Sequence, residues 1–147
     1  MRDVAAIVEI INAAFRVERF FIGRDRTDAD SVRTLMATGQ FILAEDSERL
    51  AGCVYVELRK ERGYFGLLSV DPARQKSGLG TGLIAAAENY FREAGCRFSD
   101  MRIVNIRAEL PPFYRRLGYV EISTSPFIAE AKPKLPCHFI NMSKPLA

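Results

Sequence analysis

The sequence has little of what builds the commonest nucleophilic and metal centres. It contains one histidine, His138, and three cysteines, Cys53, Cys96 and Cys137, in 147 residues. An odd, widely spaced set of cysteines without a C-x-x-C pair supports neither a disulfide framework nor a zinc site. No metal is expected, and the thiols read as free ones in a reducing cytoplasm. Cys137 and His138 are adjacent in sequence, but neighbours on a strand face opposite ways, which argues against a nucleophilic pair. No apolar run exceeds five residues, against about 20 for a membrane-spanning helix, so no membrane partner is expected. Acids within the first ten residues and the lack of a long apolar stretch do not fit a signal peptide. There are 21 Lys and Arg against 18 Asp and Glu, with no basic block. Nucleic acid is therefore not an expected partner.

What remains is an ordinary globular composition, 48% hydrophobic and 27% charged, of a length that suits one domain over residues 1–147. Val4, Ile7, Val8, Ile11, Ala14 and Phe15 recur with helical period, and Asp3 is placed to cap them. A second short helix is expected around Ser31–Thr38, capped by Asp30 or Ser31. From Gln40 the period changes to that of strands. Phe41–Glu45 and Leu50–Arg59 read as a hairpin, and Tyr64–Val70 as a strand buried on both faces. Leu79, Leu83, Ile84, Ala87, Tyr90, Phe91 and Ala94 mark a long helix stopped by Gly95. Strands at Met101–Val104, Tyr119–Ile122 and His138–Met142 surround a short helix opened by Pro111-Pro112. The order predicts one mixed α/β sheet of about six to seven strands flanked by about four helices.

The chemistry points to the segment between the third strand and the long helix, Leu68-Ser69-Val70-Asp71-Pro72-Ala73-Arg74-Gln75-Lys76-Ser77-Gly78-Leu79-Gly80-Thr81-Gly82. Glycines at a helix entrance let a ligand approach the backbone. The first N–H groups of a helix lack internal partners, and its dipole favours an anion there. A Walker loop would need Gly-Lys-Ser/Thr, and the lysine is missing at Gly80-Thr81. A dinucleotide loop would need glycine at Leu83, with its first glycine almost directly after the strand.

Gln75-Lys76-Ser77-Gly78-Leu79-Gly80 instead resembles the Q/R-x-x-G-x-G/A motif of the GCN5-related N-acetyltransferase (GNAT) superfamily. Phe113-Tyr114-Arg115-Arg116-Leu117-Gly118-Tyr119 resembles the second signature of that family, a tyrosine on a short helix before Leu-Gly-aromatic. The resemblance covers most of the chain. It implies a GNAT-like acyl-CoA fold with acetyl-CoA as cosubstrate, held in an opening between two neighbouring strands. Residues Gln75, Lys76, Ser77, Gly78, Leu79, Gly80 and Thr81 would cradle its pyrophosphate, and main-chain groups of Leu68, Ser69 and Val70 would hold its pantetheine arm.

The resemblance further implies transfer of acetyl to a primary amine of a small molecule or peptide, with Tyr114 protonating the departing thiolate. The family glutamate that serves as base falls at Tyr64, so the base is sought elsewhere. Glu57 is the carboxylate chosen, with Glu45 and His138 as further candidates. Asn105 and Arg107 do not match the family's asparagine, and Arg107 and Glu109 either shape the acceptor site or pair with each other. Arg74 and Arg115 are candidates for added charge near the phosphates. The rival reading is a GNAT-like module that binds coenzyme A or serves assembly without turnover. Pairing of the last strand within the sheet or across a homodimer is left open by the sequence.

Overall fold

Each change of hydrophobic period along the chain becomes a change of layer. The computed structural model describes residues 3–18, 26–47, 49–75, 77–127 and 136–146. Helix α1 (Asp3–Ala14) continues into a 3-10 turn (Phe15–Glu18), and α2 (Ala29–Met36) follows. Three strands come next, β1 (Gln40–Asp46), β2 (Arg49–Arg59) and β3 (Arg62–Val70). Then α3 (Leu79–Glu93), β4 (Phe98–Val104), α4 (Leu110–Arg116), β5 (Val120–Pro126) and β6 (His138–Pro145) complete the described elements.

This is the expected order, with boundaries that shift for physical reasons. Strand β4 starts three residues before Met101 because Phe98, Ser99 and Asp100 are paired on both sides, by β3 and by β6. Helix α2 starts earlier than expected because its cap is Asp28, whose carboxylate accepts from the Ser31 N–H at 2.8 Å. That bond satisfies one of the helix's orphan donors. Asp3 begins α1, and its side chain lies outside the described residues.

The six strands run in the order β1-β2-β3-β4-β6-β5. All neighbours are antiparallel except β3 and β4. That parallel ladder is very short: Arg62 opposes Phe98, Gly63 opposes Ser99 and Tyr64 opposes Asp100, and there it stops. Beyond it, Phe65–Val70 and Met101–Val104 have no register with each other, so the sheet is split down its middle.

Two apolar clusters hold the layers together. One joins α3 and α4 to one face of the sheet through Val54, Val56, Phe65, Phe91, Met101, Ile103, Tyr114 and Tyr119. The other packs α1 and α2 on the opposite face through Ile7, Ile11, Val32 and Cys53. Helix α3 lies so close to β3 that a Cβ at Gly63 would stand 2.2 Å from Phe91 Cγ. Only glycine fits under that ring.

Candidate active site

The entrance of α3 is open and uncapped. Its N-cap is Gly78, at φ 84°, a left-handed backbone that L side chains rarely adopt. No side chain caps the helix, and no acid lies in its first turn. The Gly82 N–H returns to the Gly78 carbonyl at 3.0 Å, so the N–H groups of Leu79, Gly80 and Thr81 are the orphan donors. A Cβ at Gly78 or Gly82 would meet nothing within 4 Å. Open space, free donors and the positive helix end suit a pyrophosphate. A hollow of about 470 Å³ borders this turn toward Ala44 and Ala51. Gln75, Ser77 and Thr81 are exposed beside the entrance, and Lys76 lies outside the described residues. Arg74 borders the same hollow, ion-paired with Asp46, and Arg115 is ion-paired with Glu121.

The end of β3 that leads to this entrance lies beyond the last β3–β4 pair. Two residues of β3, Leu67 and Leu68, oppose the single Val54 of β2, which makes a bulge. Leu67 sits there at φ 52°. The Ser69 hydroxyl donates to the Leu67 carbonyl at 2.8 Å and braces the kink. Ser69 is 1% exposed, so its hydroxyl is committed to this brace. Leu68 and Val70 pack toward α3, while the main chain of this segment faces the gap. A strand-like ligand arm can pair with it there.

At the closed end of the split stands Tyr114. It is 5% exposed, with its ring 6.3 Å from Phe65 and 6.0 Å from Tyr119. Its hydroxyl has no hydrogen-bond partner among the described residues, yet no buried side-chain polar atom among them is left unsatisfied. The hydroxyl oxygen therefore retains some accessible surface. Burial raises its pKa well above the ordinary phenol value, against a smaller opposing effect of the Arg107 charge. It remains protonated at any physiological pH. Tyr119, which backs it, is pinned by Glu88 at 2.8 Å and Ser99 at 2.7 Å. Lys144 joins Glu88 at 3.0 Å. This chain links α3, β4 and β6 beneath the split.

The face opposite Tyr114 carries a different set. Cross-strand register puts Glu57, Tyr64, Asp100 and Ser143 in one row over four strands. Tyr64, at the family's base position, lies between two carboxylates, each held by an arginine. Glu57 accepts from Arg59 and, at 2.7 Å, from the Tyr55 hydroxyl. Burial alone would raise its pKa, but the hydrogen bonds of Arg59 and Tyr55 and the Arg59 charge outweigh it, and the net shift is downward. Asp100 accepts from Arg62 at 2.6 and 2.9 Å and from Ser143 at 2.6 Å. Glu57 and Tyr114 thus flank the split from opposite faces rather than converging. Sequence reasoning missed Asp100, because only the parallel register of β3 with β4 brings it to the apex.

Three further residues are engaged within the chain. Arg107 pairs with Glu109 at 3.0 Å. The Asn105 side chain accepts from the His138 backbone N–H at 2.8 Å, which fastens the start of β6. Burial pushes the Cys53 thiol up to about 12, a little offset by a Ser69 hydrogen bond, so it is no nucleophile. Among the described residues, no group of three or more His, Cys, Asp or Glu is arranged to hold a metal, and no helix is long and apolar enough to cross a membrane.

A family profile described as an acetyltransferase (GNAT) domain matches residues 16–144. A search of curated proteins gives no match. Solved structures are similar in fold. Ard1 from Thermoplasma volcanium aligns with a TM-score of 0.82 and 14% identity, over 99% of this chain and 93% of that one. Ribosomal-protein-S18-alanine N-acetyltransferase from Escherichia coli aligns at 0.77 and 14% identity, over 100% and 90%. A GNAT family acetyltransferase from Elizabethkingia anophelis with acetyl-CoA bound aligns at 0.69 and 12% identity, over 80% and 83%. Identities this low carry likeness of fold alone.

Proposed function

The chain belongs to the acetyltransferase (GNAT) domain family, and on that premise we propose that it transfers acetyl from acetyl-CoA to a primary amine of a small molecule or peptide. The observation that supports this reading is the break in the β3–β4 ladder, taken with the uncapped entrance of α3 and the buried Tyr114. The acetyl-CoA held by the Elizabethkingia protein supports the choice of donor.

In this reading the backbone of Gln75–Thr81 binds the pyrophosphate, and Leu68, Ser69 and Val70 pair with the pantetheine as a neighbouring strand would. Both lie toward the α3 face, so the amine arrives from the opposite face, past Glu57 and Asp100. Its nitrogen attacks the thioester carbonyl carbon. The N–C bond forms, the C–S bond breaks, and the nitrogen's surplus proton passes through water to Glu57. Tyr114 gives its phenolic proton to the departing sulfur and recovers one from solvent as coenzyme A leaves. The raised pKa of Tyr114 makes it a reluctant acid. A thiolate in the same dry cleft is correspondingly more basic, because burial penalises both anions.

Two measurements test this reading. Free thiol should appear when acetyl-CoA is mixed with the protein and an amine from a panel of polyamines, amino acids, aminoglycosides and peptides. Thr81→Asp puts a carboxylate at the α3 entrance, where it favours the helix but repels phosphate. Coenzyme A affinity should fall while the melting temperature holds. Unchanged coenzyme A affinity in Thr81→Asp would remove the cradle from this account. Coenzyme A binding without thiol release for any amine would favour the non-catalytic module.

A further inference from the structure

The row of charges on the acceptor face does not balance. Three arginines project there by strand alternation, Arg59 from β2, Arg62 from β3 and Arg102 from β4. Arg59 is neutralised by Glu57 and Arg62 by Asp100. Arg102 is exposed, and among the described residues it has no carboxylate within ion-pair distance. It is nevertheless held in place. Its guanidinium carbon lies 4.0 Å from the centre of the Phe139 ring, and it opposes Asn141 across the β4–β6 ladder. The Asn141 amide donates to Ser123 at 3.0 Å and to Ser125 at 3.4 Å. A stacked, oriented guanidinium beside fixed hydroxyls is an arrangement suited to a planar, two-oxygen anion.

Its place relative to the chemistry fixes what that anion belongs to. Arg102 lies two residues beyond Asp100, on the same face and along the open side of the split. That is about 6.6 Å of strand from the apex where the amine must arrive. The apolar cluster formed by α1 and α2 includes no residue of β4, β5 or β6, so this approach is not filled by their packing. We propose that Arg102 is a specificity-determining residue that binds the carboxylate of the acceptor, and that the acceptor is a small amine carrying a carboxylate. Glu57 and Asp100 then flank its nitrogen, while Arg102 takes the opposite end of the molecule. This assignment rests on the acetyltransferase reading for its orientation, and it is tested without turnover.

The test is acceptor binding to the full chain saturated with coenzyme A, read by calorimetry. The probes are the common α-amino acids and the ω-amino acids, each against its primary amide. At least one acid should bind about tenfold or more tightly than its amide, the contribution of a charge-assisted pair. Arg102→Gln should erase that ratio, and Arg102→Lys should keep part of it, with coenzyme A affinity and melting temperature unchanged in both. Amides that bind as well as acids would overturn the proposal. So would a ratio that survives in Arg102→Gln, or a panel in which no acid binds. Failure of the transferase reading looks different: acids bind through Arg102, yet no thiol is released from acetyl-CoA.

Discussion

The two halves of the sheet are dressed differently. Strands β1, β2 and β3 are packed by α3 on one face and by α1 and α2 on the other. In β2 every residue from Ala51 to Val56 is buried, including the glycine. Strands β4 and β6 turn Met101, Ile103, Ile140 and Met142 toward the cluster with α3 and α4. The other face of β4, β6 and β5 shows Asp100, Arg102, Asn141, Ser123 and Ser125 around Phe98 and Phe139, on which Arg62 and Arg102 are stacked. At the far edge, β5 leaves Val120 57% and Ile122 56% exposed. The half packed on both faces is scaffold except at its margins, where Glu57 and the Leu68–Val70 main chain carry their proposed roles. A half that is open on a single face can hold a fixed geometry and still receive a ligand.

Substitutions at the seam and in each half should separate these roles. The largest effect belongs to the seam. Tyr114→Phe keeps the ring and removes the hydroxyl, and it should lower kcat by about 10²–10⁴ while the melting temperature hardly moves. A fully active Tyr114→Phe protein would mean that the sulfur is protonated by water. In the closed half, Phe91→Ala removes a side chain that is 0% exposed and should cost about 3–5 kcal/mol in urea unfolding. Gly63→Ala forces a methyl into the Phe91 ring and should cost about 1–3 kcal/mol. Ser125→Ala on the open face should stay within about 0.5 kcal/mol. Equal losses in the two halves would erase the distinction.

The smallest effect is one of pH. The Glu57 carboxyl is held below its ordinary value in the fold, so it stabilises the protein above the unfolded value. That contribution fades as pH falls through the lowered folded value. The melting temperature of Glu57→Gln should therefore lie below that of the parent at pH 7 and converge on it toward pH 3. A gap that persists at pH 3 would show that the ion pair with Arg59 is not its source.

Much of this was legible before the fold was known, because it is local. The helical stripes, the alternation in β2 and the glycines before Thr81 are written in neighbouring residues. The expected strands Tyr64–Val70 and His138–Met142 are there, the latter with Met142 in the core and Phe139 under Arg102. What could not be read is non-local. Nothing near Leu67 announces a left-handed bulge, since that conformation depends on Val54 opposite and on the hydroxyl of Ser69. Asp28 outcompetes Asp30 as a cap only once the chain has set its entry angle. The ion pair of Arg74 with Asp46 joins residues far apart in sequence.

A ladder of only three pairs between β3 and β4 also leaves the molecule with sheet edges in its interior. Ordinary edges lie at the rim, where charge, proline or a bulge discourages other chains from adding to them. Here two more edges face each other across the split, unable to pair and shielded from outside chains by the narrowness of the gap. On the proposed reading a bound pantetheine arm would stand as the missing strand of the sheet, the partner that no protein strand supplies. The amides of Phe65–Val70 should then exchange most slowly when coenzyme A is present.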